Sequence, residues 1–175
     1  MKRGGALESF GLGALLLALA GCFTADATVQ ANGSGTIELT YIPDTQATIE
    51  SETARFTSPH VTVQELVPRQ VGAFLRVTFD DVTKLSTAAG FSALTVRRDR
   101  KHGEERLRAT IRNRAPKQIP EQERPGPQIS MRLPGRVLHA SQGAKIAGDR
   151  VSWRIPLHEF ARAPAIVLSV RYRAS

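Results

Sequence analysis

The sequence predicts an α+β fold: a mostly antiparallel β-sheet with one or two short helices packed on its apolar face. Three observations carry this expectation. Apolar and polar residues alternate with a period of two through most of the 175 residues, as in Thr36 to Ile42 and Phe74 to Phe79, which is the period of a half-buried strand. Turn chemistry separates these runs, with Asn32-Gly33 as its strongest instance. Only two stretches, Ala47 to Phe56 and Val82 to Ala89, carry helical spacing behind an acidic residue.

Taken in order, Thr28-Val29-Gln30 and Thr36 to Ile42 form a hairpin around Asn32-Gly33. Asp44 offers a helix cap, and Ile49, Thr53 and Phe56 share one side of the helix it would start. Val61-Thr62-Val63 and Phe74 to Phe79 are strands around Pro68-Arg69-Gln70. Asp80 and Asp81 then stand where a helix N-terminus favours negative charge. Val82, Leu85 and Ala89 fall on one face of that helix, and Gly90 stops it. Phe91 to Arg98 and Glu105 to Arg114 form a hairpin with a charged tip. Ile129 to Leu138, Arg150 to Leu157 and Ala165 to Tyr172 complete the strands. Between them, Ala115 to Gln128 holds Pro116, Pro120, Pro125 and Pro127. Such a density of proline excludes helix and sheet interior and predicts a surface loop at 115–128.

The N-terminus follows other rules. Lys2 and Arg3 precede an uncharged apolar run from Phe10 to Ala20, and small residues lead to Cys22, the single cysteine. This is the layout of a secretory signal over residues 1–21. Phe10 to Gly21 is 12 residues, about 18 Å as a helix, too short for a hydrocarbon core of about 30 Å. Leu19-Ala20-Gly21-Cys22 resembles the lipobox of bacterial lipoproteins, whose cysteine is acylated (palmitate among its chains) and becomes the mature N-terminus. Acylation also accounts for a thiol with no disulfide partner in an oxidising compartment. The reading is a signal peptide at 1–21, a lipidated Cys22 with a short tether over 22–27, and a single globular domain over 28–175. The expected location is the cell envelope. Phe23, where inner-membrane retention would want Asp, favours the periplasmic face of the outer membrane over the inner membrane or cell surface.

Cleavage would remove Lys2, Arg3 and Glu8, lowering the formal charge from +8 to +7. A basic domain on a short tether is drawn to an anionic surface, at about 1 kcal/mol per Lys or Arg close to it. Alternation also places arginines together. Leu94, Val96, Leu107, Ala109 and Ile111 point inward, so Arg97, Arg106, Arg108 and Arg112 point outward. Arg76, Arg132, Arg154 and Arg171 share that outward phase on their own strands. If the strands are neighbours, one face carries eight guanidinium groups, each a bidentate donor to phosphate or carboxylate. Two readings are open: a solvated sheet exterior, or a binding face for anionic lipid, glycolipid or envelope polymer. Nucleic acid is excluded as a partner by the compartment and by scarce stacking aromatics, 6% of the chain. An envelope protein partner is the alternative, with the chain as an assembly subunit.

No catalytic constellation is legible, and the expectation is a non-enzymatic protein without metal or cofactor. His60, His102, His139 and His158 are scattered, none in metal-ligand spacing. Each reads as a loop or strand-edge histidine. Asp80-Asp81 diverge as adjacent residues, and capping explains them better than a shared proton. Asn32-Gly33-Ser34 matches a glycosylation acceptor by chance. A hydrolase would require a histidine near a carboxylate in a deep pocket.

Four segments in a fixed order carry a family resemblance: Gly33-Ser34-Gly35-Thr36-Ile37-Glu38-Leu39, then Gly72 through Val82, then Leu133-Pro134-Gly135-Arg136-Val137, then Val151-Ser152-Trp153-Arg154-Ile155. With the lipobox-like cysteine, they resemble the LppM-like lipoprotein domain. The resemblance implies an envelope-anchored α+β domain with lipid or glycolipid recognition and no established catalysis. Relatives often carry a C-terminal membrane helix, whereas this sequence closes on Arg171-Tyr172-Arg173-Ala174-Ser175. On physical grounds Pro134-Gly135 bends or bulges a strand, and Trp153 supplies the largest core side chain.

Overall fold

Asn32 closes the first turn by accepting hydrogen bonds from the Ser34 amide at 3.0 Å and the Ser34 hydroxyl at 2.7 Å, the local chemistry that makes Asn-Gly a hairpin signal. The computed structural model describes residues 23–113 and 126–174. The signal segment 1–21, Cys22 and residues 115–125 of the proline-rich loop lie outside the described residues. The turn joins β1 (Thr24–Val29) to β2 (Gly35–Tyr41), antiparallel, with Ala27 opposite Ile37.

β1 starts earlier than the sequence predicts. It pairs on both sides, with β2 and, in parallel, with β7 (Gln128–Arg132). Phe23 is buried and meets Phe160 edge-on at 5.9 Å. The expected tether at 22–27 is corrected accordingly. From Phe23 onward the chain belongs to core and sheet, because ladder hydrogen bonds and one aromatic contact outweigh the polarity of Thr24 and Asp26.

α1 (Ile49–Phe56) is capped by Thr48 instead of Asp44. The Thr48 hydroxyl accepts from the Ser51 amide at 3.1 Å, and the Ser51 hydroxyl accepts in return from the Thr48 amide at 2.9 Å. Its buried residues are Glu52 and Phe56, while Ile49 is exposed, so the predicted apolar side is rotated. Phe56 sets that rotation by sitting edge-on to Tyr41 at 5.5 Å and Phe91 at 5.2 Å.

β3 (Val61–Pro68) and β4 (Ala73–Phe79) pair with a bulge between Val63 and Glu65. The second expected helix is a 3₁₀ helix, Val82–Thr87, capped by Asp81, which accepts from the Thr83 amide at 2.8 Å. Its buried series is Val82, Leu85 and Ala88, a spacing of three, and not the predicted Ala89. β5 (Leu94–Lys101) and β6 (Glu104–Arg112) meet at His102 and Gly103, whose φ values of 53° and 76° suit a tight hairpin turn.

The strand expected over 129–138 is two strands. β7 ends at Arg132, and β8 (Gly135–Ala140) belongs to a different sheet. Leu133-Pro134 is the corner between them; proline cannot donate to either ladder. β9 (Ala144–Ala147) and β10 (Arg150–Arg154) follow, then α2 (Leu157–Arg162) and β11 (Ala165–Ala174). His158, read as a loop or edge residue, sits in α2.

The α+β class holds, with two antiparallel-rich sheets where one was expected. One runs β3-β4-β2-β1-β7-β10-β9 and the other β5-β6-β11-β8. Their inner residues form one cluster, with Leu75, Val77 and Trp153 from the first and Leu107, Val170 and Tyr172 from the second. Packing two sheets face to face buries both apolar sides, which a single open sheet with a few short helices could not do.

Candidate functional site

The second sheet places arginines opposite one another. Register sets Arg97 of β5 across from Arg108 of β6, and Arg106 of β6 across from Arg171 of β11. All four are exposed, on the side away from Leu107 and Ala109. Like charges directly opposite on a sheet repel. Acidic relief is limited: Glu104 takes Arg171 at 3.4 Å and Arg173 at 3.5 Å, and Asp99 lies across from Arg106. Arg97, Arg106, Arg108 and Arg112 make no hydrogen bond or ion pair to another described side chain. Arg112 lies at the far end of the face, opposite Ala165.

The remaining arginines are elsewhere, which corrects the expectation of a single eight-arginine face. Arg76, Arg132 and Arg154 belong to the seven-stranded sheet and point out from its other side. Arg76 is held by Glu38 at 3.0 Å and Glu65 at 3.1 Å, and Arg132 lies 3.6 Å from Asp149. Arg154 is exposed, opposite Gln128. Two sheets packed core to core necessarily turn their polar sides away from each other, so shared phase did not mean a shared face.

Two buried clusters went unseen in the sequence. In one, the Tyr172 hydroxyl donates to Glu105 at 2.7 Å, and Arg98 donates to the same carboxylate through Nε at 2.7 Å, with Nη2 in ion-pair contact at 2.6 Å. Arg98 also donates to the Ala31 carbonyl at 2.6 Å, tying this sheet to the β1–β2 turn. Burial pushes the Glu105 carboxyl up, but the hydrogen bonds from Tyr172 and Arg98 outweigh it and hold it below its usual range. Burial and the Glu105 hydrogen bond push the Tyr172 phenol up to about 12. In the other cluster, Tyr41 donates to Glu52, which pairs with Arg55 at 2.6 Å. Burial first, then the Glu52 hydrogen bond, raises the Tyr41 phenol well above its ordinary value. The chain has two tyrosines and each ends on a buried glutamate; that economy was the available signal.

Between the sheets lies a cavity of about 120 Å³ walled by apolar side chains, including Phe23, Ile37, Phe91, Met131 and Leu168. Its sequence signal is small residues at inward positions: Ala25, Ala27 and Ala109 leave volume that larger side chains would fill. At the surface, His60 Nδ1 faces both Asp80 oxygens, at 3.0 and 3.1 Å.

No protein-family model matches this sequence, and no curated protein does. Its fold is similar to the NMR structure of the folded domain of LppM from Mycobacterium tuberculosis, at 15% sequence identity and a TM-score of 0.55, over 88% of this chain and 90% of that one. The LppM-like architecture expected from the four sequence segments is therefore present.

Proposed function

We propose that this chain is an envelope-anchored binding module without catalytic activity. It is held by acyl chains on Cys22, and the outer face of its four-stranded sheet takes an anionic lipid or glycan. The carrying observation is the opposition of Arg97 with Arg108 and Arg106 with Arg171, where three of the four guanidinium groups make no ion pair with a carboxylate among the described residues. A phosphate-bearing ligand would relieve that repulsion and accept bidentate hydrogen bonds. The LppM-like fold and the lipobox-like Leu19-Ala20-Gly21-Cys22 support an envelope location, with the periplasmic face of the outer membrane favoured by Phe23. The apolar cavity favours lipid over glycan, since an acyl chain would enter it with no polar wall group to desolvate.

The test is sedimentation of the soluble chain from Phe23 onward with vesicles of increasing anionic content, at low and high salt. Binding should rise with anionic lipid and fall with salt. Binding indifferent to both sinks the electrostatic reading. Intact-mass analysis of the full chain, with fractionation, tests the anchor.

A further inference from the structure

Strand register shows which residues share one end of the seven-stranded sheet. Thr24 of β1 stands beside Thr40 of β2, Thr40 beside Phe74 of β4, and Phe74 beside Val67 of β3. The row continues from Thr24 to Gln128 of β7 and on to Arg154 of β10. Cys22 is covalently joined to Phe23 and so enters the fold at this end.

Apolar side chains are left in water at the same end. Val71, at the β3–β4 tip, is 78% exposed; Ile42, just past β2, is 55% exposed; Val67 is 39% exposed. The tip closes where the Arg69 amide donates to the Gly72 carbonyl at 3.0 Å, with Gly72 at a φ of 90°. A Cβ on Gly72 would lie 2.3 Å from the Tyr41 carbonyl oxygen and 3.7 Å from the Ile42 Cα. This close approach brings the tip against the end of β2 and sets Val71 and Ile42 in one patch. Arg69 lies over the Phe74 ring at 5.0 Å and Arg154 ends the row, neither with a carboxylate among the described residues. The carboxylate next to Ile42 in sequence, Asp44, accepts from the Gln46 amide of its own loop at 3.1 Å.

We propose that this end of the sheet is a membrane-docking face, in which Ile42, Val67 and Val71 enter the boundary between headgroups and acyl chains while Arg69 and Arg154 meet phosphates. Apolar side chains below a cationic rim are the chemistry that binds an anionic bilayer surface. The inference rests on reading Cys22 as the anchor, and adds an orientation to it. With Phe23 buried in the fold, the lipid would join a rigid body at its contact face. The opposed arginines belong to the other sheet and would stay available to their ligand.

The experiment places a tryptophan reporter in the full chain, Val71→Trp at the proposed face and Asn32→Trp at the opposite turn. Each is bound to phosphatidylglycerol-containing vesicles with brominated acyl chains, and each protein is mass-analysed at Cys22. Trp153 is 3% exposed and supplies a constant background. The expected result is a blue shift and bromine quenching for Val71→Trp, with neither for Asn32→Trp. Ile42→Trp, a second reporter on the same face, should follow Val71→Trp. An unquenched, water-like emission from both reporters in vesicle-bound protein acylated at Cys22 overturns the docking face and leaves the anchor standing. Quenching of both in protein with a free Cys22 thiol supports the face and removes the anchor. A free thiol with no quenching ends both.

Discussion

On the outer side of the seven-stranded sheet, arginines meet carboxylates: Arg76 sits between Glu38 and Glu65, Arg132 beside Asp149, and Arg150 on Asp26. On the outer side of the four-stranded sheet, Arg97 faces Arg108 and Arg106 faces Arg171. The difference is one of strand phase. Glu38 and Glu65 share Arg76's outward phase, the latter because the bulge before Glu65 resets the register. Glu105, next to Arg106, points the other way and is buried on Arg98 and Tyr172. A single step along a strand therefore separates a neutralised face from a charged one.

The largest way to break this contrast is to remove the inward carboxylate. Glu105→Ala would leave the buried Tyr172 hydroxyl without its acceptor and the partly buried Arg98 without its carboxylate, at an expected cost of about 3 kcal/mol or more in urea denaturation. Glu38→Ala on the neutralised face should cost under about 1 kcal/mol. Equal losses would mean that burial does not distinguish the two sheets. The same group sets a pH dependence. A carboxyl whose folded pKa is depressed contributes stability that is present above its unfolded value, near 4.5, and lost as pH falls through the folded value. Stability should therefore drop below about pH 4.5, and Glu105→Gln should flatten the drop.

Next in size is ligand binding. Arg106→Ser with Arg108→Ser should weaken anionic vesicle binding about tenfold or more, at about 1 kcal/mol per arginine near the surface, and reduce its salt dependence. Arg76→Ser with Arg132→Ser removes the same formal charge from the neutralised face and should leave binding nearly unchanged. A similar loss from both pairs would reduce the effect to net charge alone. Tyr172→Phe sharpens the contrast from inside the sheet. Removing one hydrogen bond to a charged acceptor should cost about 1.5–3 kcal/mol by thermal denaturation without altering vesicle binding.

The smallest change would convert one face into the other. Ser169 lies opposite Arg108, so Ser169→Glu supplies a carboxylate beside an arginine that pairs with none among the described residues. It should raise stability by a few tenths of a kcal/mol, up to about 1, while lowering vesicle binding. A loss of stability there would show that repulsion between the opposed arginines does not destabilise this face.

Local readings transferred well where a local cause was sufficient. Asn32-Gly33 turned the first hairpin, Asp81 capped a helix, and the inward series Val96, Leu107 and Ala109 is buried as alternation predicts. Errors arose where another partner competed. Nearby, Asp44 lost the cap of α1 to the reciprocal Thr48–Ser51 pair; from farther away, rings on Tyr41 and Phe91 set the helix's buried side through Phe56. Pro134 predicts a bend, but only packing shows that the bend passes the chain from one sheet to the other. Of the candidate site, each arginine's outward phase was legible; which arginines are neighbours was not.

The sequence by itself determined the period-two strands, the turns, the outward arginines and the lipobox-like approach to Cys22. These depend on residues a few positions apart, where covalent geometry fixes spacing and phase. Tertiary structure alone decided the split into two sheets, the inward burial of Glu105, the cavity, and the close approach of the Gly72 turn to the end of β2. Each requires segments far apart in the chain to choose partners, and that choice depends on the summed free energy of burying whole faces, which no short window of sequence contains.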